Sequence, residues 1–433
     1  MNAKRRMLLG KGRRSYKRIL AITVLLAVVY GASFEAFVNV FSWVASKEGL
    51  EWSMNGLGGW VREVEWSPSG EWVAVAVGGL SPWRSNGSIG IYDRHGVRVW
   101  SLNVSSPVTR VEWYNDSIIV FIEKTGLVGL VDVADKRVVW NRSLEAFMDD
   151  LTVDRGDGYI LVAADLPLDS VVALSLNNGS ILFSREMNGG VLDVGYNPSR
   201  GVIYACSAGN ITARFRGEII LLDSKGETLV EEKLGSECIK AYLMKGWGKL
   251  AVATGFPHYM LKLMDTSGDG VRVDASVALG GLAVDLHEMG DYLVIGVGRP
   301  GNKVLLFRHG LTLYRVLEPG RGMVTSVSVD EGNEVIAVTT EWFDSYLNPH
   351  GGVFIYDIHG KLVGSMELKG RCSSSDWSPQ GRLAIGTKEG GLYVLNPRRM
   401  WLYSLVTPLS ILVSLLVLLG LFLRFRKASI FKL

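Results

Sequence analysis

The sequence predicts an all-β fold: an eight-bladed β-propeller of four-stranded blades, with seven blades as the alternative count, flanked by an N-terminal and a C-terminal transmembrane helix. Three observations predict it. A strand-and-turn unit recurs about every 40 to 48 residues through the middle of the chain, and repeats of that period stack rather than fold alone. A second unit, an apolar strand ending in an acid and a tight turn, recurs in step with the first. Two long apolar stretches with basic flanks bracket the array.

The N-terminus comes first. Residues 1–18 carry eight basic residues and no acid. Residues 19–46 follow as an apolar stretch, and about 20 such residues cross a bilayer as a helix. Basic residues stay in the cytoplasm, so the expectation is a cytoplasmic tail and an uncleaved anchor rather than a signal peptide. Glu35 is an acid at the outer part of this stretch; such a residue either faces a partner or marks the interface. At the other end, 398–423 is expected to be the second span, followed by the basic tail 424–433. Both termini then lie in the cytoplasm, and the domain between them, 47–397, lies outside the cell membrane. Between residues 36 and 397 there are 42 acidic and 32 basic residues. A domain of that balance is a poor partner for nucleic acid.

The repeats decide the fold of 47–397. Val64-Glu65-Trp66-Ser67-Pro68-Ser69-Gly70 returns as Ser375-Asp376-Trp377-Ser378-Pro379-Gln380-Gly381. Looser copies contain Trp113 and Tyr196, and weaker ones centre on Val153, Leu243, Leu286 and Val329. The second unit reads Ile89-Gly90-Ile91-Tyr92-Asp93-Arg94-His95-Gly96, and again Val353 to Gly360 and Ile219 to Gly226. Its aligned positions are Asp93, Asp132, Ser175, Asp223, Asp265, Arg308, Asp357 and Asn396. Asp bonds its own backbone in a turn and Gly supplies positive φ. Each repeat is therefore four strands, a to d, which makes it a propeller blade. The last repeat stops after strand c, while Leu50 to Asn55 resembles a strand d. The first strand is expected to complete the last blade and so remove an open edge.

The tryptophan-serine-proline turns and the tyrosine-aspartate hairpins resemble those of the WD40-like and PQQ-like (quinoprotein-type) β-propeller superfamily. The resemblance covers roughly residues 48–397. It implies a fold and leaves the function open.

Alternating strand direction puts the a–b and c–d turns on one face and the b–c and d–a loops on the other. The chain enters and leaves on the a–b/c–d face, so the b–c loops point away from the membrane. They are rich in aromatic residues and Arg. The candidate binding residues are Trp83, Arg84, Phe215, Arg216, Phe256, His258, Tyr259, Arg299, Trp342, Phe343, Tyr346 and His350. Aromatics and Arg on loops held by a rigid scaffold suit partner binding, and packing inward to cap the ring is the alternative. Six Asn-x-Ser/Thr sequons, Asn86, Asn103, Asn115, Asn141, Asn178 and Asn210, are possible glycosylation sites, all within the outside domain.

Chemistry is absent from the motifs. The chain has no nucleophile elbow, phosphate loop or metalloprotease helix. His258 and His350 share a face but lack metal-ligand spacing, so no metal is expected. No cofactor is expected either, including PQQ with calcium. Of the three cysteines, Cys206 and Cys238 fall in neighbouring repeats and could pair, but buried free thiols are the favoured reading. The expected function is non-enzymatic: a membrane-anchored, extracytoplasmic scaffold or accessory subunit of a membrane complex, with the bilayer and a membrane or extracytoplasmic protein as partners. The alternatives are a PQQ-type quinoprotein dehydrogenase and a glycan-binding surface adhesin.

Overall fold

The computed structural model describes residues 49–79, 86–156, 158–209, 216–266 and 270–399. Within them, strands pair into eight four-stranded antiparallel sheets. The blade count is eight, and the seven-bladed alternative falls away. Blades 1 to 7 run consecutively at 60–104, 108–143, 148–186, 191–233, 238–278, 283–317 and 323–369. In each, the first strand is innermost and the fourth outermost. Blade 8 takes three strands from 372–395 and its fourth from Leu50–Met54.

The flanking transmembrane helices of the expected fold class are corrected. Their segments, 19–46 and 398–423, with the tails 1–18 and 424–433 and Glu35, lie outside the described residues except for a helical turn at 397–399. Among the described residues no helix is long and apolar enough to cross a membrane. The other helical piece is a three-residue 3-10 turn, His309–Leu311. Pieces of three residues are far short of the roughly 20 that a bilayer demands. The described chain is all-β.

Ring closure is a strand pairing. Trp52 pairs with Val394, Ser53 with Tyr393 and Met54 with Leu392, antiparallel. Glu51 anchors this seam. It accepts from Arg382 Nε at 2.8 Å and from Asn396 Nδ2 at 2.9 Å. Both ends of the domain therefore leave from one edge of blade 8, and that edge is opposite the b–c loops.

The core is not central. It consists of eight hydrophobic clusters, each between two neighbouring blades. Trp113, Ile89, Ile91 and Phe121 fill the space between blades 1 and 2, for example. The apolar second and third strands supply most of these side chains, because they are covered on both faces, like strands inside any stacked sheet. The repeated turns behave as their residues demand. Gly70 and Gly381 take φ of 70° and 76° in the two serine-proline turns. Asp93, Asp223 and Asp357 each accept two backbone N–H groups at 2.8–3.0 Å in the c–d hairpins.

Cys206, in the second strand of blade 4, forms a disulfide with Cys238, in the first strand of blade 5. The favoured free-thiol reading is overturned for this pair, because the two strands face each other across a blade interface with Cα atoms 5.2 Å apart, a disulfide spacing. Cys372 alone is a free thiol, and burial pushes it up to about 12. Replacing both Cys206 and Cys238 with Ala is expected to lower stability by about 2–4 kcal/mol, the usual range for losing such a cross-link. Denaturant titration of the variant against the oxidised protein checks this; coincident curves would mean the bond contributes nothing.

Candidate functional site

The inner strands line the channel of the ring. The first strand of every blade carries a β-bulge at the same place, between Val61 and Glu63 in blade 1 and between Cys372 and Ser374 in blade 8. A bulge re-aims the side chain that follows it. The residues that follow are Glu63, Arg110, Asp150, Asp193, Lys240, Asp285, Ser326 and Ser374, one from each blade. Two positions on, Glu65, Glu112, His287 and Asp376 take the same face by strand alternation. With Thr325, Ser373 and Ser375 most of them surround a cavity of about 410 Å³.

The channel carboxylates have a common task. An inner strand is the edge of its sheet, and its outward N–H groups need acceptors. At six of the eight interfaces, 1–2, 2–3, 3–4, 4–5, 6–7 and 8–1, a carboxylate of the preceding blade provides one. Glu63 accepts from Val111 N at 2.6 Å, Glu65 from Trp113 N at 3.2 Å and Glu112 from Val153 N at 3.1 Å. Asp150 accepts from Val194 N at 3.2 Å and Asp193 from Ala241 N at 2.8 Å. Asp285 accepts from Val327 N at 2.7 Å, and Asp376 closes the ring on Trp66 N at 2.7 Å. Ser374 assists by accepting from Val64 N at 3.1 Å. Blades 7 and 8 are joined by hydroxyls instead, Ser326 and Ser328 against Ser375.

Two cations sit among the acids. Arg110 lies 3.5 Å from Glu63 and 3.0 Å from Asp150, and Lys240 lies 3.0 Å from Asp193. Burial works against Asp150's charge, but Lys240 and Arg110 overcome it and hold its carboxyl below the ordinary value. Five of the acids, Glu63, Glu65, Glu112, Asp193 and Asp376, move the opposite way. Burial pushes Glu63 up to about 7 against the pull of Arg110, and Asp193 up to about 6 against that of Lys240. Burial raises Glu112 to about 8 and Asp376 to about 6. Glu65 is raised well above the carboxylate range by burial and by the neighbouring Glu112, Asp376 and Glu63. The ionised and protonated forms of a carboxyl both accept an N–H, so the links survive either state. Among the described residues, no group of three or more His, Cys, Asp or Glu is arranged to hold a metal ion.

The b–c face is built differently. Loops 165–169, 255–259 and 298–302, in blades 3, 5 and 6, are copies of one another. Each contains a cis X–Pro bond at its second residue, and each ends on a residue of positive φ: Asp169, Tyr259 and Asn302. Each is clasped to the d–a connection of its own blade. Phe147 N donates to the Leu166 carbonyl at 3.0 Å, Glu237 N to Phe256 at 3.1 Å and Leu282 N to Arg299 at 3.3 Å. The clasp leaves Leu166, Phe256 and Arg299 on the surface. His258 is exposed and Tyr259 half-buried beside Phe256, and Arg216 is exposed at the end of the blade 4 loop.

Blade 7 does not have a loop of the expected kind. Its second and third strands, Val335–Phe343 and Pro349–Asp357, run on past the ring and pair Glu341 with Gly351, Trp342 with His350 and Phe343 with Pro349. The tip at 344–348 is locked by Asp344, which accepts from Tyr346 N at 2.8 Å, Asn348 N at 2.9 Å and Asn348 Nδ2 at 2.8 Å. Those hydrogen bonds hold its carboxyl down to about 2. Phe343, Tyr346 and Leu347 project, 52%, 85% and 78% exposed. Trp342 instead packs, stacked on His350 with ring centres 5.7 Å apart and carrying the Arg321 guanidinium. His350 is held between Asp344 and Glu367, within its own blade, and His258 lies on blade 5.

Solved structures of similar fold are many. No family model matches the chain, and no curated sequence is similar enough to count as a relative. Among the structures, the C-terminal WD40 domain of Sif2 gives a TM-score of 0.64 at 12% identity, covering 80% of this chain and 97% of its own. Sqt1 of Saccharomyces cerevisiae gives 0.62 at 12% identity over 79% and 97% of the two chains. The computationally designed Ika8 protein gives 0.61 at 14% identity over the same shares. The fold is a WD40-like β-propeller.

In this WD40-like ring the sequence-predicted residues divide. Phe256, His258, Tyr259, Arg299, Trp342, Phe343, Tyr346, His350 and Arg216 belong to the b–c side, spread over blades 4 to 7 and not gathered in one pocket. Trp83, Arg84, Phe215 and the sequon Asn210 lie outside the described residues. The channel acids were missed. The repeating acids evident in the sequence are those of the hairpins, whereas the inner-strand acids are masked because Arg110, Lys240, Ser326 and Ser374 replace them in four blades. A column of polar residues at the same offset in every first strand was the available signal.

The channel makes stability pH-dependent with a definite sign. A carboxyl whose folded value is raised stabilises the protein below its ordinary value and loses that contribution as pH rises through the folded value. For Asp376, Glu63 and Glu112 the loss begins near the ordinary carboxylate value of about 4 and is complete only above folded values of about 6, 7 and 8. The melting temperature is expected to fall between pH 5 and pH 9. Glu112→Gln and Asp376→Asn keep an acceptor oxygen and remove the charge, so each is expected to raise the melting temperature at pH 9 and to raise it less at pH 5. A wild-type profile flat across that range would contradict this account of the channel.

Proposed function

We propose that the protein is an extracytoplasmic protein-interaction platform, an accessory subunit that engages its partner through the b–c face. The observation that carries the reading is the blade 7 hairpin. A stiff, paired extension with a tip locked by its own aspartate exposes Phe343, Tyr346 and Leu347 to solvent. Ordering the tip beforehand removes a cost that binding otherwise meets, and aromatic anchors are the usual carriers of interface energy. Phe256 of blade 5, 53% exposed, adds a further apolar side chain on the same face.

The interior of the ring supports a platform rather than a reaction site. Its carboxylates are engaged in joining blades, as the seven backbone contacts above describe. Extracytoplasmic placement is supported by the Cys206–Cys238 disulfide, since such bonds persist in oxidising compartments. Support for a membrane setting is sequence alone: the apolar composition of 19–38 and 401–423 and the basic residues beside them.

The test is a comparison. The wild-type protein and a Phe343→Ser, Tyr346→Ser, Leu347→Ser variant are purified from their own cells under mild detergent, after matched melting temperatures show that both fold. A stoichiometric partner that accompanies the wild type is expected to be reduced at least tenfold with the variant, about 1.4 kcal/mol or more. Equal recovery would remove the hairpin from the interface.

A further inference from the structure

The six sequons are distributed unevenly around the ring. Asn86 and Asn103 belong to blade 1, Asn115 and Asn141 to blade 2 and Asn178 to blade 3. Asn210 falls in blade 4 by sequence but lies outside the described residues. From residue 211 to the C-terminus there is no sequon at all, although Asn302, Asn333, Asn348 and Asn396 occur there. Each lacks Ser or Thr two residues on, or is followed by Pro.

All five described sequon asparagines are exposed. Asn103 and Asn141 stand on the outermost strands, at the perimeter of the ring. Asn115 and Asn178 occupy turns in which the side-chain oxygen accepts the N–H of the sequon's own serine, at 2.8 Å from Ser117 and 3.0 Å from Ser180. The oxygen is the half of the amide committed to the turn, and Nδ2 is the half that a sugar would join. None of the five lies in the hydrophobic clusters between blades. By contrast, four of the five most exposed aromatic and aliphatic side chains of the b–c face, Tyr346, Leu347, Phe256 and Phe343, belong to blades 5 and 7. Leu166 of blade 3 is the exception, and the sequon of its blade sits in the c–d turn on the opposite face.

We propose that the protein carries N-linked glycans on blades 1 to 3, at Asn86, Asn103, Asn115, Asn141 and Asn178, and presents blades 5 to 8 as a bare half-ring for protein contact. The proposal rests on the extracytoplasmic reading and sharpens it. The linkage is a redox-neutral substitution. Nδ2 of Asn bonds to the anomeric carbon of an oligosaccharide carried on a lipid phosphate, with a membrane transferase as catalyst. The anomeric carbon–oxygen bond to the phosphate breaks, the lipid phosphate leaves with the electron pair, and the amide gives up one N–H proton. Glycans there would hydrate and block one side of the ring, so a protein partner would approach from the other.

The test is peptide mapping by mass spectrometry on the full-length protein from its own cells, digested without reduction. The same digest reports the Cys206–Cys238 bond. The expected result is disulfide-linked peptide together with hexose- or hexosamine-bearing peptides at the asparagines of blades 1 to 3, each abolished by its Asn→Gln variant. Disulfide-linked peptide with all five asparagines unmodified overturns the proposal and leaves the extracytoplasmic reading intact. Free thiols at both cysteines with unmodified asparagines overturn both.

Discussion

Every blade of this ring ends inward on a sheet edge, and the backbone N–H groups of that edge must find acceptors. The rest of the structure follows from how this is met. At six of the eight interfaces a neighbouring blade supplies a carboxylate, and each inner strand carries the shared bulge that re-aims the side chain after it. Glu63 reaches Val111, Asp193 reaches Ala241, and Asp376 reaches back to Trp66 across the seam between the last blade and the first. An edge left bare would template pairing with other chains. Here it is covered from within the ring. The price is a channel crowded with acids, eased by Arg110 and Lys240 and by partial protonation.

Hydrophobic burial acts on a different surface of the same sheets. Each cluster belongs to two blades, so no blade has a core of its own. Stability is therefore distributed around the ring and depends on its being closed. Closure rests on Leu50–Met54 and on Glu51, which ties that strand to Arg382 and Asn396. The disulfide between blades 4 and 5 adds a covalent link on the far side of the ring from this seam. A scaffold so constrained can hold surface hairpins in fixed positions, and the blade 7 extension exploits this by carrying its pairing out beyond the ring.

The two halves of the ring differ in what they show to solvent. Blades 1 to 3 carry exposed sequons on perimeter strands and turns, while blades 5 to 7 carry Phe256, Phe343, Tyr346 and Leu347. The polar composition of the channel also varies with position. Blades 1 to 6 contribute charges, and blades 7 and 8 contribute chiefly hydroxyls from Thr325, Ser326, Ser373, Ser374 and Ser375. Sequence repetition sets the ring, and departures from the repetition set its faces.

The fold was legible in the sequence because local chemistry repeats. Trp-Ser-Pro turns need Gly70 and Gly381 at positive φ, and hairpin aspartates need only their own backbone, so both act within a few residues. The four-strand rhythm and the borrowed first strand follow from them. Tertiary structure alone decided the rest. Glu63 and Asp150 acquire their role from an N–H some forty residues away, in another blade, and nothing in their immediate neighbours announces it. Cys206 and Cys238 pair because two strands face each other across an interface. Trp342, read as a loop aromatic, is half-buried because strand pairing continues past the ring and brings His350 against it. A residue's turn chemistry is carried by its neighbours in the chain, and its partner across a blade interface is set only when the ring has closed.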